Sequence, residues 1–206
     1  MGSNNGSSET KPVHTVTLSS FQIGKYEVTQ KLWKAVMGTN PSKFKGDNLP
    51  VENVSWNDIQ KFLIKLNKMT GKKYRLPTEA EWEFAARGGN KSKNYKYSGS
   101  NTLENVAEYG GNNNKSTKNV GGKSPNELGI YDMSGNVWEW CSDWYDGYFY
   151  NQNQAKINSE NTTSKRVLHG GSWDYGSGFC QVADRNYDNP TLRYNNIGFR
   201  VASSLP

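Results

Sequence analysis

Three stretches of the chain place apolar residues at helical spacing between clear start and stop signals. YEVTQKLWKAVMG offers Thr29 as the N-cap of a short helix that stops at Gly38. SWNDIQKFLIKLNKMTG predicts a longer helix that starts after Ser55 and ends at Gly71. RLPTEAEWEFAARGG predicts a third helical segment, because a Thr-x-x-Glu capping box opens it and glycines follow it.

The remaining apolar residues fall in short segments with strand character. VHTVTLSSFQIG alternates apolar and polar positions, and further strands are predicted around GIYDM, NVWEWCSDWY, KRVLHGGSW and IGFRVAS. Residues 88–128 are rich in Gly, Asn, Ser and Lys without periodicity, so something other than a regular core must order them, bound metal being one candidate. The pattern predicts an α+β protein with long loops.

The domain organisation follows from the same pattern. Residues 1–11 are expected to be a flexible polar arm or an expression scar, and 12–206 a single domain. The Asn/Gln-rich patch at 151–164 is expected to be an exposed loop of that domain. No apolar run in the sequence is long enough to span a membrane, and the first residues are not expected to be a signal peptide.

The formal charge of +6 raises the question of nucleic-acid binding. Lysines are scattered along the chain without a dense block or a helix stripe, so we expect no nucleic-acid partner. Cys141 and Cys180 are the only cysteines and lie in no metal-binding pattern. A purely structural subunit acting through a basic surface remains an alternative class.

Six motifs occur in one order along the chain: YEVTQKLWKAVMG, PVENVSW, YRLPTEAEWEFAARGG, GIYDMSGNVWEW, RVLHGGSW and NNIGFR. Together they resemble the formylglycine-generating enzyme (sulfatase-modifying factor) family over about residues 14–203. The resemblance implies a C-type-lectin-like fold with two main helices, short antiparallel sheets and long loops. It does not by itself imply catalysis.

The resembled enzymes oxidise a sulfatase cysteine with copper and a Cys-x-x-x-x-Cys pair. Counting back from Arg185, the matching positions hold Ser177 and Val182, which neither ligate Cu(I) nor exchange disulfides. We therefore expect no copper and no enzyme activity, and Cys180 is interpreted as a small buried hydrophobe. An iron-dependent branch would need His-x-x-x-His-Glu, and His14 and His169 stand far apart. The alternative function is a formylglycine-generating or related sulfatase-modifying oxidase.

Asp132 and Glu139 bracket a Ser-Gly-Asn turn, and their carboxylates suit a hard cation such as Ca²⁺. The resemblance implies calcium ligation by these two side chains and by the carbonyls of Gly135 and Val137. The alternative is a turn held by hydrogen bonds alone. A second family calcium site would fall on Asn105, Val106 and GGNNN at 110–114, where neutral Asn ligands predict low affinity.

The segment from about 173 to 196 contains Asn186, Asn189, Asn195 and Asn196, and nine other positions between Trp173 and Asn195 hold Asp, Tyr, Ser, Phe or Leu. Each of these five residue types is reachable from an AAC asparagine codon by changing adenines alone. The pattern resembles the variable proteins of diversity-generating retroelements, which implies that these residues bind ligand. They are Asp174, Tyr175, Ser177, Phe179, Asp184, Tyr187, Asp188, Leu192 and Tyr194.

Tyr, Phe and Leu would supply contact area on such a surface, and Asp and Ser would supply hydrogen bonds. The alternative is that the aromatic members are core residues, while Trp173 is expected to be a buried framework anchor. The function predicted is a non-catalytic ligand-binding display protein, exported, tethered by lipid to a bacterial surface and monomeric. Its partner would be an unidentified protein or surface ligand.

Overall fold

The computed structural model describes residues 1–112, 115–145 and 164–205. Three α-helices are present in this part of the chain: α1 (Gln30–Met37), α2 (Trp56–Thr70) and α3 (Glu79–Ala86). The strands are short: β1 (Phe21–Ile23), β2 (Tyr74–Arg75), β3 (Trp138–Trp144), β4 (Arg166–His169), β5 (Arg185–Asp188), β6 (Ile197–Gly198) and β7 (Ala202–Ser204). This is the α+β class that the sequence predicts, and no helix of the described residues has the length and apolarity of a membrane span.

The predicted caps set the helix boundaries. The Thr29 hydroxyl accepts a hydrogen bond from the Leu32 amide, and α1 ends at Gly38, whose φ is +79°. Ser55 and Asp58 form a reciprocal capping box at the start of α2. A second box opens α3, where Glu81 accepts from the backbone amide of the N-cap residue. All three predicted helices are confirmed.

The strands form two sheets. One has the order β1-β7-β2 and is antiparallel throughout, whereas the other has the order β5-β4-β3-β6, with β6 parallel to β3. The strand predicted at GIYDM is wrong, because Asp132 turns the backbone to a φ of +58°. The strand predicted from residue 13 is reduced to Phe21–Ile23.

Aromatic side chains fill the main core between α1, α2 and the four-stranded sheet. The rings of Trp33 and Phe62 stack with centroids 5.1 Å apart, and Phe199 meets both of them edge-on. Trp138 and Trp140 of β3 complete this cluster and are fully buried. The core therefore fixes β3 and β6 directly beneath the C-terminal loops.

Residues 1–11, expected to be a flexible arm, lie against the domain in this structure. The Gly2 amide donates to Glu83 Oε1 at 2.7 Å, and Arg87 Nη2 donates to the Gly2 carbonyl at 2.8 Å. Thr10 is buried. The Asn/Gln-rich patch at 151–164 lies outside the described residues except for Ser164.

Candidate functional site

Six of the nine predicted variable residues sit on three consecutive pieces of backbone. Ser177 and Phe179 lie on a 3-10 turn (Ser177–Cys180), and Tyr187 and Asp188 end β5. Leu192 and Tyr194 lie on the loop between β5 and β6. β5 is an edge strand of the four-stranded sheet, and its end and the following loop line one concavity.

Glycine at position 171 lets the 3-10 turn fold back closely. Gly171 has a φ of +72°, and a Cβ there would lie 2.8 Å from the Cys180 sulfur and 2.9 Å from the Phe179 carbonyl oxygen. Any other residue would push the turn away from its strand. The GGSW motif therefore sets the position of the backbone that carries Ser177 and Phe179.

None of the nine predicted variable side chains is buried. Phe179 and Tyr194 are each 45% exposed and Leu192 is 39% exposed. Tyr175 and Tyr187 are half-buried, because Tyr175 packs against the main core and Tyr187 against a second cluster around Trp82. The interpretation of the aromatic residues as exposed holds for Phe179 and Tyr194. Tyr175 and Tyr187, by contrast, also pack against the core clusters and support the fold.

Five of the nine line a single concave site of about 360 Å³, a size that accommodates a small ligand or a protruding side chain. They are Asp174, Tyr175, Tyr187, Asp188 and Tyr194. The apolar part of the wall comes from Trp138, Leu168 and Ile197 of the neighbouring strands. The other four predicted residues, Ser177, Phe179, Asp184 and Leu192, lie outside this concavity.

Three asparagines complete the wall, and our predicted site did not include them: Asn186, Asn195 and Asn196. The signal was present, since they are three of the four asparagines in the predicted variable stretch. Asn196 Nδ2 donates to both oxygens of Asp174 at 3.1 Å, which orients that carboxylate at the rim. The Ser172 hydroxyl also donates to Asp174, at 2.7 Å.

Among the described residues, the wall carries two carboxylates and no lysine, arginine or histidine. Burial raises the pKa of the Tyr175 hydroxyl, and Asp174 and Asp188 raise it further. This phenol therefore stays neutral and can both donate and accept a hydrogen bond. The site combines an acidic rim with three phenol rings, a composition that favours cationic and hydrogen-bonding groups.

A buried charge cluster anchors β5 below the site. The guanidinium of Arg185 donates to both oxygens of Glu79, at 2.7 and 2.8 Å, and His169 Nε2 lies 3.0 Å from the same carboxylate. Burial alone would raise the pKa of Glu79, but Arg185 and His169 together lower it to about 2. Trp82 stacks on the His169 ring. His169 is thus a framework residue of β4.

Both cysteines are free and buried, in different clusters. Burial raises the pKa of Cys180 to about 12 and that of Cys141 well above its usual range. Neither thiol is therefore a thiolate at neutral pH. The interpretation of Cys180 as a small buried hydrophobe is confirmed. Ser177 is exposed and Val182 is buried in the cluster around Trp82.

In the turn proposed to bind calcium, the carboxylate of Glu139 already accepts hydrogen bonds from other side chains. Arg200 donates to both oxygens of Glu139 at 2.7 Å, and Trp82 Nε1 donates to one of them at 2.8 Å. Glu139 therefore does not fit the role of a direct calcium ligand in this arrangement. Asp132 fits better, since the one hydrogen bond its carboxylate accepts from a described residue comes from the Gly121 amide, at 2.7 Å.

The charge around this turn is unbalanced. Burial raises the pKa of Asp132 to about 6, and it raises the pKa of Glu27 well above the usual range. Asp132 and Glu139 raise the Glu27 pKa further, and Arg200 is the only cation that opposes them among the groups acting on Glu27. Three carboxylates thus share one guanidinium. At the second proposed site, the Asn105 carbonyl accepts from the Ser124 amide, and residues 113–114 lie outside the described chain.

Together the two small sheets, the capped helices and the exposed C-terminal loops define a C-type-lectin-like domain of the formylglycine-generating-enzyme type. The chain belongs to the family described as sulfatase-modifying factor enzyme 1-like domain, whose model matches residues 1–205.

Two relatives in sequence and one in structure illustrate the range of this family. Chaperone protein LppX of Paenibacillus barcinonensis is 41% identical over 77% of this chain and 71% of its own length. The formylglycine-generating enzyme of Streptomyces coelicolor is 35% identical over 83% of this chain, which spans 58% of that enzyme. Treponema denticola variable protein 1 superposes with a TM-score of 0.86 at 36% identity, covering 99% of this chain and 91% of that one.

Proposed function

We propose that this chain is a non-catalytic ligand-binding protein whose C-terminal loops carry the residues that a retroelement diversifies. One observation carries the proposal: residues selected only by their codon relationship to asparagine converge on one concave site. Asp174, Tyr175, Tyr187, Asp188 and Tyr194 are separated by up to 20 positions in sequence and share its wall. A structural role alone gives no reason for that convergence.

The framework around the site supports the same function. Strand β5 is fixed from below by the Arg185–Glu79 ion pair, and the turn before it is fixed by Gly171. Side chains on such a scaffold can change while the backbone keeps its course. The similarity to Treponema denticola variable protein 1 extends over nearly the whole chain, which supports the same arrangement here.

The ligand is unidentified, and the wall suggests its chemistry. The described part of the wall has two carboxylates and three tyrosines and no opposing basic side chain, which favours a cationic or hydrogen-bonding group on a protein or other surface ligand. We further propose that the natural protein is exported, tethered by lipid at a bacterial surface and monomeric.

Resequencing the gene and its flanking DNA from several isolates tests the diversification directly. We expect substitutions confined to the nine variable positions and the neighbouring asparagines, with a near-identical template repeat and a reverse transcriptase gene beside them. Differences spread evenly over the chain, with no such neighbours, would refute the proposal.

The rival function is formylglycine formation, which the similarity to the Streptomyces coelicolor enzyme favours. It requires a Cys-x-x-x-x-Cys pair, and this chain has two cysteines, at 141 and 180. Both are buried as protonated thiols. The oxidase would therefore lack the paired thiolates that bind copper.

Calcium remains a proposal for the turn between Asp132 and Glu139. The excess of carboxylates over guanidinium around Glu27, Asp132 and Glu139 supports it. Asp132 would supply a side-chain oxygen, and Gly135 and Val137 would supply carbonyl oxygens. Glu139 would contribute its charge from within the Arg200 ion pair. The cation would be structural, because it would hold the turn that precedes β3.

A further inference from the structure

The outward face of α2 is basic and partly apolar. Lys61, Ile64, Lys65 and Lys68 follow the i, i+3, i+4, i+7 spacing that places side chains on one helix face. All are exposed, as are Met69 and the two lysines just beyond the helix, Lys72 and Lys73. We predicted from the sequence that the lysines form no helix stripe, and that prediction is wrong, because the burial of Phe62, Leu63 and Leu66 turns these lysines outward together.

This face has no internal counter-charge. Residues 59–78 contain five lysines and no aspartate or glutamate. None of the five forms an ion pair with a described residue. The nearest acid on the helix, Asp58, is engaged by Arg193 at 2.6 Å. An uncompensated patch of this kind attracts a polyanionic surface.

Two apolar side chains stand within the patch. Ile64 is 70% exposed and Met69 is 63% exposed, the two highest values among the large hydrophobic residues of the described chain. Single exposed apolar residues are ordinary, but a basic helix face that also presents apolar side chains is typical of helices that lie on membranes.

We propose that this face of α2 docks on an anionic lipid bilayer. Lysines attract the negatively charged headgroups, and Ile64 and Met69 enter the boundary between headgroups and acyl chains. A bilayer fits better than nucleic acid, because the patch contains lysines without the arginines and aromatic rings that pair with phosphates and bases. The inference is independent of the proposed ligand site.

Because α2 runs away from the C-terminal loops, docking through this helix affects how far those loops lie from the bilayer. Its first turn contacts the C-terminal loops, where the Asn57 amide donates to the Pro190 carbonyl at 3.2 Å and Arg193 pairs with Asp58. Its other end, about 22 Å away along the helix axis, leads into β2 and the other sheet. Apart from Lys61, the apolar and basic residues of the patch lie in the second half of α2 or just beyond it. Docking there keeps the C-terminal loops away from the bilayer.

The test is vesicle co-sedimentation of the full chain. We expect binding to vesicles of phosphatidylglycerol and phosphatidylcholine, no binding to phosphatidylcholine alone, and weakening as salt is raised. Changing Lys61, Lys65, Lys68 and Lys72 to Gln should lower the affinity at least about tenfold, since each lysine near an anionic surface contributes measurably to binding. Far-UV circular dichroism checks that the wild type and this variant have the same secondary structure.

The matched control removes the same charge elsewhere: Lys11, Lys43, Lys91 and Lys93, all exposed, are changed to Gln. An equal loss in this control would overturn the proposal, because net charge alone would then explain binding. So would no binding to the anionic vesicles, or tighter binding to duplex DNA that depends on the same four lysines. A second variant, Ile64→Ser with Met69→Ser, should weaken binding even at raised salt, because it removes the apolar contribution.

Discussion

Arg185 of β5 holds Glu79 of α3 with two charge-assisted hydrogen bonds, although 106 positions separate them in sequence. Both side chains are almost fully buried. Arg185 lies between two predicted variable residues, Asp184 and Tyr187. The Arg185–Glu79 ion pair therefore fixes the backbone of β5 while the side chains at those two positions can change.

Replacing Arg185 by Met should therefore destabilise the domain strongly. Glu79 would be left as a buried charge whose arginine partner is gone, which costs about 3–5 kcal/mol of the free energy of unfolding. Arg193→Met is the matched control, because Arg193 also pairs with an acid but is 53% exposed. We expect that control to cost less than about 1 kcal/mol. Urea unfolding measures both, and equal losses would show that the buried pair is not the anchor.

Asp184 should make stability depend on pH. Burial raises its pKa from 3.8 to about 6, so the folded state holds the proton more tightly than the unfolded chain. Stability from this group is therefore present below about pH 4 and is lost as the pH rises to about 6. Asp184→Asn should stabilise the protein above pH 6 by on the order of 1 kcal/mol, after allowance for partial exposure. Thermal unfolding of both proteins across this range gives the comparison.

An unchanged profile in Asp184→Asn would mean that the Asp184 carboxylate is solvated in solution.

Calcium should stabilise the domain through the turn that begins at Asp132. Burial raises the pKa values of Asp132 and Glu27, and neighbouring carboxylates raise them further, so a cation bound there would stabilise the charged forms. After chelation, adding calcium at about 100 times its dissociation constant should raise the free energy of unfolding by about 2.7 kcal/mol. Calorimetry should show binding that disappears in Asp132→Asn. Neither heat nor a thermal shift in the wild type would favour the turn held by hydrogen bonds alone.

Formylglycine should not form. Purified protein incubated with copper and a peptide containing Cys-x-Pro-x-Arg should yield no aldehyde by mass spectrometry, because Cys180 and Cys141 are buried and protonated. The Streptomyces coelicolor relative serves as the positive control. Detectable aldehyde from this chain would restore the oxidase as its function.

The helices were predictable because their signals are local: Thr29, Ser55 and Thr78 cap them within a single turn of sequence. The turn that replaces the predicted strand at GIYDM was not predictable, because the positive φ of Asp132 depends on contacts with other segments of the chain. The variable residues were found from their codon relationship. Their concave arrangement could not be found that way, because Trp138 and Leu168 reach the site only through the pairing of β3 with β4 and β6.

The sharpest test of the variable face compares its side chains with those of the core. Ser177, Leu192 and Tyr194 are exposed, and changing each to Ala should cost no more than about 0.5–1 kcal/mol. Phe199 is fully buried and packs edge-on against two aromatic rings, so Phe199→Ala should cost about 3–5 kcal/mol.

Trp173 is a less suitable core reference than expected. It is half-buried, with Phe44 edge-on at 5.4 Å and a hydrogen bond from its indole to the Asn195 carbonyl. Trp173→Ala should therefore fall between the two groups. Urea unfolding of all five variants gives the ranking. If Tyr194→Ala cost as much as Phe199→Ala, Tyr194 would be a core residue, and a surface that tolerates diversification would lose its physical basis at that position even if the gene proved to vary.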